Sequence, residues 1–389
     1  MERPKSVDTT DSEEFDKRLK KQKKRKQKDR KKKKKQDVKS NFVLEQKRKE
    51  EALYKNLRLS TNKITTCNQG TLIGTNATLL AVKDETSFLI GSNRMGLRLD
   101  EGEKTVYTSK MLDMHNILSG IIYVRRLDAY FLCLEGKIYR KDIDGKREYI
   151  WMNIPNGCRP GRSFQYSDLN NRLIVAKNQQ HIAVIDLDQA KVQIEMAKDH
   201  GQKITQFCLF GPKEDQVASL TLDGWISIYR FDVISSRGWI EDVQYVELEE
   251  KRGEMGNSIS VCPKGRYVCV ETSSKDLKIS SKYFIFELKN KELILKASQD
   301  VLSQNLDAKT FVTCYGYLGA HLLFLGFTGS KANGKAIIIE YNEDYNGVFE
   351  NCWKSVLHEE SLPLEMKRLG DSYYYCGQKG SIMRLNLLF

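Results

Sequence analysis

The chain has 389 residues, 40% of them hydrophobic, with 64 Lys and Arg against 51 Asp and Glu and a net charge of +13. That length and apolar share suit one large all-β domain or two average domains, and they exclude a chain that is disordered throughout. No apolar run reaches the ~18 residues of a membrane span, and the charged N-terminus lacks the apolar core of a secretory signal, so neither is expected.

The charge is not spread evenly. Residues 1–50 hold 21 Lys and Arg against 10 Asp and Glu, which leaves 43 basic and 41 acidic residues from position 51 onward. The remainder of the chain is therefore close to neutral, and the basicity belongs to one segment. The 9 cysteines follow no clustered spacing and sit mostly among apolar neighbours, as in Phe131-Leu132-Cys133-Leu134 and Tyr267-Val268-Cys269-Val270. They read as reduced core residues of an intracellular protein.

Residues 1–41 form the first expected region, a disordered lysine-rich tail. Residues 1–16 are acidic and polar, whereas residues 17–35 carry 15 Lys or Arg and a single acid, Asp29. Thirteen of them, Lys20, Lys21, Lys23, Lys24, Arg25, Lys26, Lys28, Arg30, Lys31, Lys32, Lys33, Lys34 and Lys35, are the candidate polyanion-binding or nuclear-address residues. Like charges at this density repel, and only Leu19 offers apolar surface, so the run does not fold alone. It reads as a nuclear address, a polyanion contact, or a solubilising extension. Lysine in place of arginine favours diffuse attraction over bidentate recognition. With no aromatic residues interleaved, base stacking is not on offer, and an RNA contact would be made through phosphates without sequence preference. Ser12, followed by Glu13 and Glu14, is a candidate acidic-context phosphorylation site.

Residues 42–64 read as a linker, with a short helix suggested by Leu44, Leu53, Tyr54 and Leu57 and a strand at its end. From residue 65 to 389 one unit recurs: a strand, a tight polar turn, a second strand. Phe88-Leu89-Ile90-Gly91 turns into Gly96-Leu97-Arg98-Leu99, and Tyr130-Phe131-Leu132-Cys133 into Lys137-Ile138-Tyr139. Leu173-Ile174-Val175-Ala176 leads to Ile182-Ala183-Val184-Ile185, and Val217-Ala218-Ser219-Leu220 turns at Asp223-Gly224 into Trp225-Ile226-Ser227-Ile228-Tyr229. Tyr267 to Val270 leads to Tyr283 to Phe286, Leu322 to Leu325 to Ala336 to Ile339, and Tyr373 to Cys376 to Ile382 to Leu385. Turn centres near 92, 135, 179, 223, 276, 331 and 379 give spacings of 43 to 55 residues. A hairpin recurring every ~40–50 residues is the pattern of propeller blades, and the expected fold is an all-β, seven-bladed β-propeller. Small sheets of this kind bury their apolar faces by stacking on neighbours around an axis. The last unit ends after its third strand candidate, Ile382 to Leu388, so residues 54–67 are expected to supply the missing outer strand and close the ring.

Residues 199–230 resemble a WD-repeat unit: Asp199-His200-Gly201, Ile204-Thr205, Phe207, Val217-Ala218-Ser219, then Asp223-Gly224-Trp225-Ile226-Ser227-Ile228. Tyr229-Arg230 stands where the family usually has Trp-Asp, and the Gly-His pair is reversed as His200-Gly201. The other six units share the period but not the signatures. The resemblance implies a divergent scaffold that presents its faces and loops to other proteins. The residues that mark this WD-like unit are His200, Asp223, Gly224 and Tyr229. In many members Asp and His form a buried hydrogen-bond network within each blade, and here only His200 occupies a matching position.

The motifs that resemble chemical sites have simpler readings as turns and loops. Gly329-Ser330-Lys331-Ala332-Asn333-Gly334-Lys335-Ala336 matches a phosphate loop except at its last position, where Ala336 lacks the hydroxyl that holds magnesium. A strand rather than a helix is expected behind it, so it reads as a hairpin loop. Asp142-Ile143-Asp144-Gly145 resembles a calcium loop, but Arg140 and Trp151 fall where oxygen ligands belong. The five histidines, at 115, 181, 200, 321 and 358, have no metal-ligand spacing.

These readings point to a non-enzymatic scaffold with no cofactor and no metal, a monomeric ring within a larger complex. Its expected setting is nuclear or nucleolar, in a ribonucleoprotein or ribosome-assembly complex, with the ring on proteins and the tail on RNA. Two alternatives stand beside it. One is a cytoplasmic or cytoskeletal adaptor whose tail binds an acidic protein surface. The other is an enzyme with its site in the central channel, where residues from separate blades converge without a linear motif.

Overall fold

Branched and aromatic residues in short runs, broken by Gly, Asn and Asp, favour pleated strands joined by tight turns. The computed structural model describes residues 48, 58–65, 77–92, 96–101, 104–109, 118–134, 137–142, 148–153, 164–177, 180–197, 203–246, 254–274, 281–301, 311–318, 321–329, 334–342, 356–358, 366–369, 372–376 and 382–388. Contacts divide the chain into a unit of Met1–Leu57 with Phe389 and a unit of Arg58–Leu388. In the first unit only Arg48 is described, helical and exposed. The rest of the expected tail and linker helix lies outside the described residues.

The second unit is built from seven four-stranded sheets. In six of them four consecutive strands follow each other antiparallel, over residues 77–109, 118–153, 164–197, 204–245, 254–301 and 311–358. The seventh is composite. Met366–Leu369, Ser372–Cys376 and Ile382–Leu388 pair in turn, and Arg58–Thr65 adds the outer strand antiparallel to Ile382–Leu388. Sheets are numbered below in this order, and the strands of each run from inner to outer. All-β propeller architecture follows from this arrangement.

The core lies between sheets. Leu79, Ala81 and Leu89 of the first sheet pack on Ile121, Tyr130 and Leu132 of the second. Phe131 and Ile138 of the second meet Leu173 and Ile185 of the third. Ile174 and Val184 of the third meet Phe207 and Tyr229 of the fourth. Leu220 and Ile228 of the fourth meet Val268 and Phe286 of the fifth, and Tyr267 and Ile285 of the fifth meet Leu322 and Phe324 of the sixth. Tyr374 and Ile382 of the seventh pack on Leu80, Phe88 and Ile90 of the first, which brings the two ends of the series together. Alternate residues of one strand serve two different clusters, so both faces of a sheet are apolar and neither is stable without a neighbour.

The first five sheets repeat one detail. The pairing of the third strand with the fourth slips by one residue, at Leu99/Asp100, Ile138/Tyr139, Val184/Ile185, Ile228/Tyr229 and Ile285/Phe286. A bulge at this place twists the outer strand away from flat edge pairing. Close approach between sheets also dictates certain residues. A Cβ on Gly256 of the fifth sheet would lie 2.2 Å from the Thr221 carbonyl oxygen of the fourth, so only glycine fits there.

Candidate interaction surface

The sequence-derived site falls in two places. The thirteen basic positions from Lys20 to Lys35 lie outside the described residues, as do Ser12 and His200. Asp223, Gly224 and Tyr229 belong to the fourth sheet. Gly224 takes a φ of +91° in the turn between the second and third strands, a conformation that suits glycine. Thr221 Oγ1 donates to Asp223 Oδ1, and Trp225 N–H donates to Thr221 Oγ1 at 2.9 Å. The turn is thus fastened by Thr221 on one side and the Asp-Gly step on the other. Tyr229 is buried in the cluster between the third and fourth sheets, and burial raises its phenol above the ordinary value. It serves the core rather than a surface.

Sequence reasoning missed a second polar element at the opposite end of the strands. In the third sheet Arg172 opposes Asp186, and Arg172 Nη2 lies 2.8 Å from Asp186 Oδ2. In the fifth, Arg266 Nη2 and Lys296 Nζ each lie 2.8 Å from the Glu287 carboxylate. In the fourth, Arg230 reaches both Asp215, at 3.5 Å, and Glu241, at 3.4 Å. The Lys296 ammonium and then the Arg266 guanidinium, by hydrogen bonding, hold the Glu287 carboxyl below its ordinary value. These ion pairs fix the corners where the first-to-second and third-to-fourth strand turns meet. Partners stand 9 to 21 positions apart in sequence and on different strands or the turns beside them, so no short motif announces them.

Adjacent sheets are also latched at that end. Ser167 Oγ and Leu169 N–H of the third sheet both donate to Glu214 Oε2 of the fourth, and Asn170 Nδ2 donates to the Lys213 and Glu214 carbonyls. Gln193 Nε2 donates to the Val233 carbonyl at 2.7 Å. The backbone and acidic groups of these turns are therefore occupied internally. Apolar side chains nearby face solvent: Leu169 and Ile234 of the turns, and Trp239 near the start of the fourth sheet's outer strand, are exposed, Ile234 at 94%.

The other motifs resolve as structure. Gly334–Asn342 is a strand, and Gly329 opposes Gly334 across a hairpin, so no helix N-terminus follows the phosphate-loop-like sequence. Asp142 accepts from Arg140 Nε at 3.1 Å, and the rest of the calcium-like sequence lies outside the described residues. His181 Nδ1 and Lys177 Nζ flank the Glu195 carboxylate at 2.7 and 2.6 Å, and together they hold it below its ordinary value. Among the described residues, no group of three or more His, Cys, Asp or Glu side chains converges to hold a metal. No described helix is long and apolar enough to cross a membrane.

Comparison with known proteins agrees with the architecture and goes no further. No family model matches the chain, and no curated protein matches it. Among solved structures, the β-propeller domain of Nup133 from Vanderwaltozyma polyspora is similar with a TM-score of 0.61 at 8% sequence identity, covering 85% of this chain and 97% of that one. In all, 1353 solved chains match, a breadth that ties the likeness to the fold and not to one function. The chain is a β-propeller of divergent sequence.

Proposed function

We propose that the chain is a seven-bladed, non-enzymatic scaffold of a nuclear ribonucleoprotein or ribosome-assembly complex, holding proteins on its ring and touching RNA with its tail. Each of the seven sheets supplies one blade in this reading, and the Arg58–Thr65 strand closes the ring. Sheets that spend both faces on their neighbours leave turns, ends and outer edges as the surfaces for partners. The similarity to the Nup133 β-propeller domain supports the propeller fold on which this reading rests.

The observation that carries the tail's part is the segregation of charge. Fifteen Lys or Arg and one acid occupy residues 17–35, while positions 51 onward hold 43 basic and 41 acidic residues. A nearly neutral ring with a separate cationic run divides the work between protein contact and phosphate contact.

Affinity purification from nuclear extract tests the division. The full chain and a chain lacking residues 17–35 are compared, each with and without ribonuclease. Both should retain the same core protein partners after ribonuclease treatment, and only the full chain should carry RNA before it. Loss of every protein partner on ribonuclease treatment would contradict the scaffold, and equal RNA recovery from both chains would contradict the tail contact.

A further inference from the structure

Four of the exposed large apolar side chains fall on two neighbouring sheets. Ile234 stands in the turn before the outer strand of the fourth sheet, and Trp239 lies near the start of that strand, Arg237–Tyr245. Ile294 and Leu295 lie near the start of the fifth sheet's outer strand, Glu292–Val301. Both outer strands begin at the same end of the antiparallel meander. Trp239, opposite Arg230, and Leu295, opposite Phe286, lie on the faces that the two sheets turn toward each other, with Ile234 in the adjoining turn. Ile294, opposite Glu287, lies on the fifth sheet's other face. Leu293 packs into the cluster that joins the two sheets, and Lys291 Nζ lies 4.0 Å from Glu241 Oε1 across them, which places the strands side by side. Trp239 is 42% exposed and Leu295 52% exposed, an unusual share of apolar surface for neighbouring positions.

The charge around this patch is lopsided where it meets solvent. Exposed at this end of the two sheets are Lys213, Arg237, Lys264, Arg266, Lys289 and Lys291, against a single exposed acid, Glu292. The other acids are drawn inward: Asp215 and Glu241 to Arg230, and Glu287 to Arg266 and Lys296. Asp232 is committed to its own turn, accepting from the Ile234 N–H and Ser235 Oγ. Lys213, Arg237 and Lys289 have no ion pair among the described residues. An apolar strip collared by cations matches a ligand that carries apolar anchors among carboxylates.

We propose that the corner formed by Ile234, Trp239 and Leu295 docks an acidic peptide segment of a partner protein, with Leu, Phe or Trp side chains as its anchors. This rests on the scaffold reading and names one surface for it. Peptide is favoured over RNA because two of the three apolar residues are aliphatic and offer no face for base stacking. The outer strands are edges of their sheets, with Arg237–Tyr245 and Glu292–Val301 each last in its order, so an extended segment also finds free backbone groups beside the patch.

Selection of short random peptides on the full chain tests it. Enriched sequences should be rich in Asp and Glu and carry at least two apolar anchors. A fluorescein-labelled representative should bind Ile234→Glu, and separately the Lys213→Glu, Arg237→Glu double variant, about tenfold or more weakly than the parent. Ile234 and Lys213 sit on exposed turn positions and Arg237 is the exposed first residue of its strand, and matching melting curves show that the fold is intact. The proposal is overturned if enriched peptides are basic, or if acidic ones bind both variants as tightly as the parent. It is also overturned if poly(U) RNA displaces the peptide and the Ile234→Glu variant loses RNA affinity, which would give the corner to nucleic acid. Peptides that enrich but ignore both variants would leave the scaffold standing and remove this surface. No enrichment at all would count against both.

Discussion

Thr61 lies directly across from Leu385 in antiparallel register, so a strand from before the first sheet completes the last one. Residues on either side continue the pairing, from Arg58 with Leu388 to Lys63 with Met383. Without Arg58–Thr65 the strand Ile382–Leu388 becomes a bare edge and the seventh sheet keeps three strands, the first of them only 4 residues long. Truncation to residue 70 should therefore lower the melting temperature by at least about 5 °C. Truncation at residue 41 should leave it nearly unchanged, because the removed residues carry almost no apolar surface to pack. Differential scanning calorimetry of the two truncated chains decides the point, and equal melting would contradict closure by this strand.

Gly256→Ala should be costly for a residue change of one methyl group. The added Cβ meets the Thr221 carbonyl oxygen at 2.2 Å and the Leu220 side chain at 3.0 Å, and neither belongs to a flexible tip. Separation of the fourth and fifth sheets is the only relief, at a cost of roughly 1–3 kcal/mol. A shift of the urea midpoint with unchanged slope would report it.

Stability should fall in acid partly through Glu287. Hydrogen bonds from Lys296 and Arg266 hold its folded-state value below the ordinary 4.5. A lowered carboxyl stabilises the fold fully above its unfolded value, and that contribution disappears as pH falls through the folded value. Glu287→Gln should therefore melt earlier than the parent at pH 7, with the gap narrowing below pH ~4. A gap that stayed constant from neutral to acid pH would contradict the ion pair's role.

Lys335→Ala should change nothing in nucleotide binding and little in stability. Lys335 pairs with Thr328 on one side and Leu357 on the other within a sheet, and no helix N-terminus faces it. Equilibrium dialysis with ATP should show no binding by the parent or the variant, and binding by the parent that the variant loses would overturn this.

Much of the fold was legible because the middle two strands of each sheet are the most apolar. Phe88 to Gly91 with Gly96 to Leu99, or Val217 to Leu220 with Trp225 to Tyr229, are hairpins in which the turn residues stand a few positions from both strands. Outer strands were hidden by their half-exposed faces: Arg237–Tyr245 reads RGWIEDVQY, with neither strict alternation nor a clean apolar run. Inner strands were blurred by slips such as Ile204/Gln206 and Gly256/Ser258, which break the period of two. The interaction corner was illegible for another reason. Trp239 and Leu295 are ordinary apolar residues in sequence, and only the packing of neighbouring residues inward distinguishes them.

Salt-dependent RNA binding tests the division of labour between ring and tail most directly. The full chain, a chain lacking residues 17–35, and one with those residues in reversed order are titrated onto one RNA across a salt series. Deletion removes fifteen positive charges and one negative, taking the net charge from +13 to −1. The full chain and the reversed chain should bind alike, with affinity falling steeply as salt rises, because a lysine run reads charge density and not sequence. The slope should stay below that of fifteen phosphate contacts, since a run of this kind does not engage every charge at once. The deleted chain should bind weakly at every salt concentration. Equal, salt-insensitive binding by all three would contradict the account and move the nucleic-acid contact onto the ring.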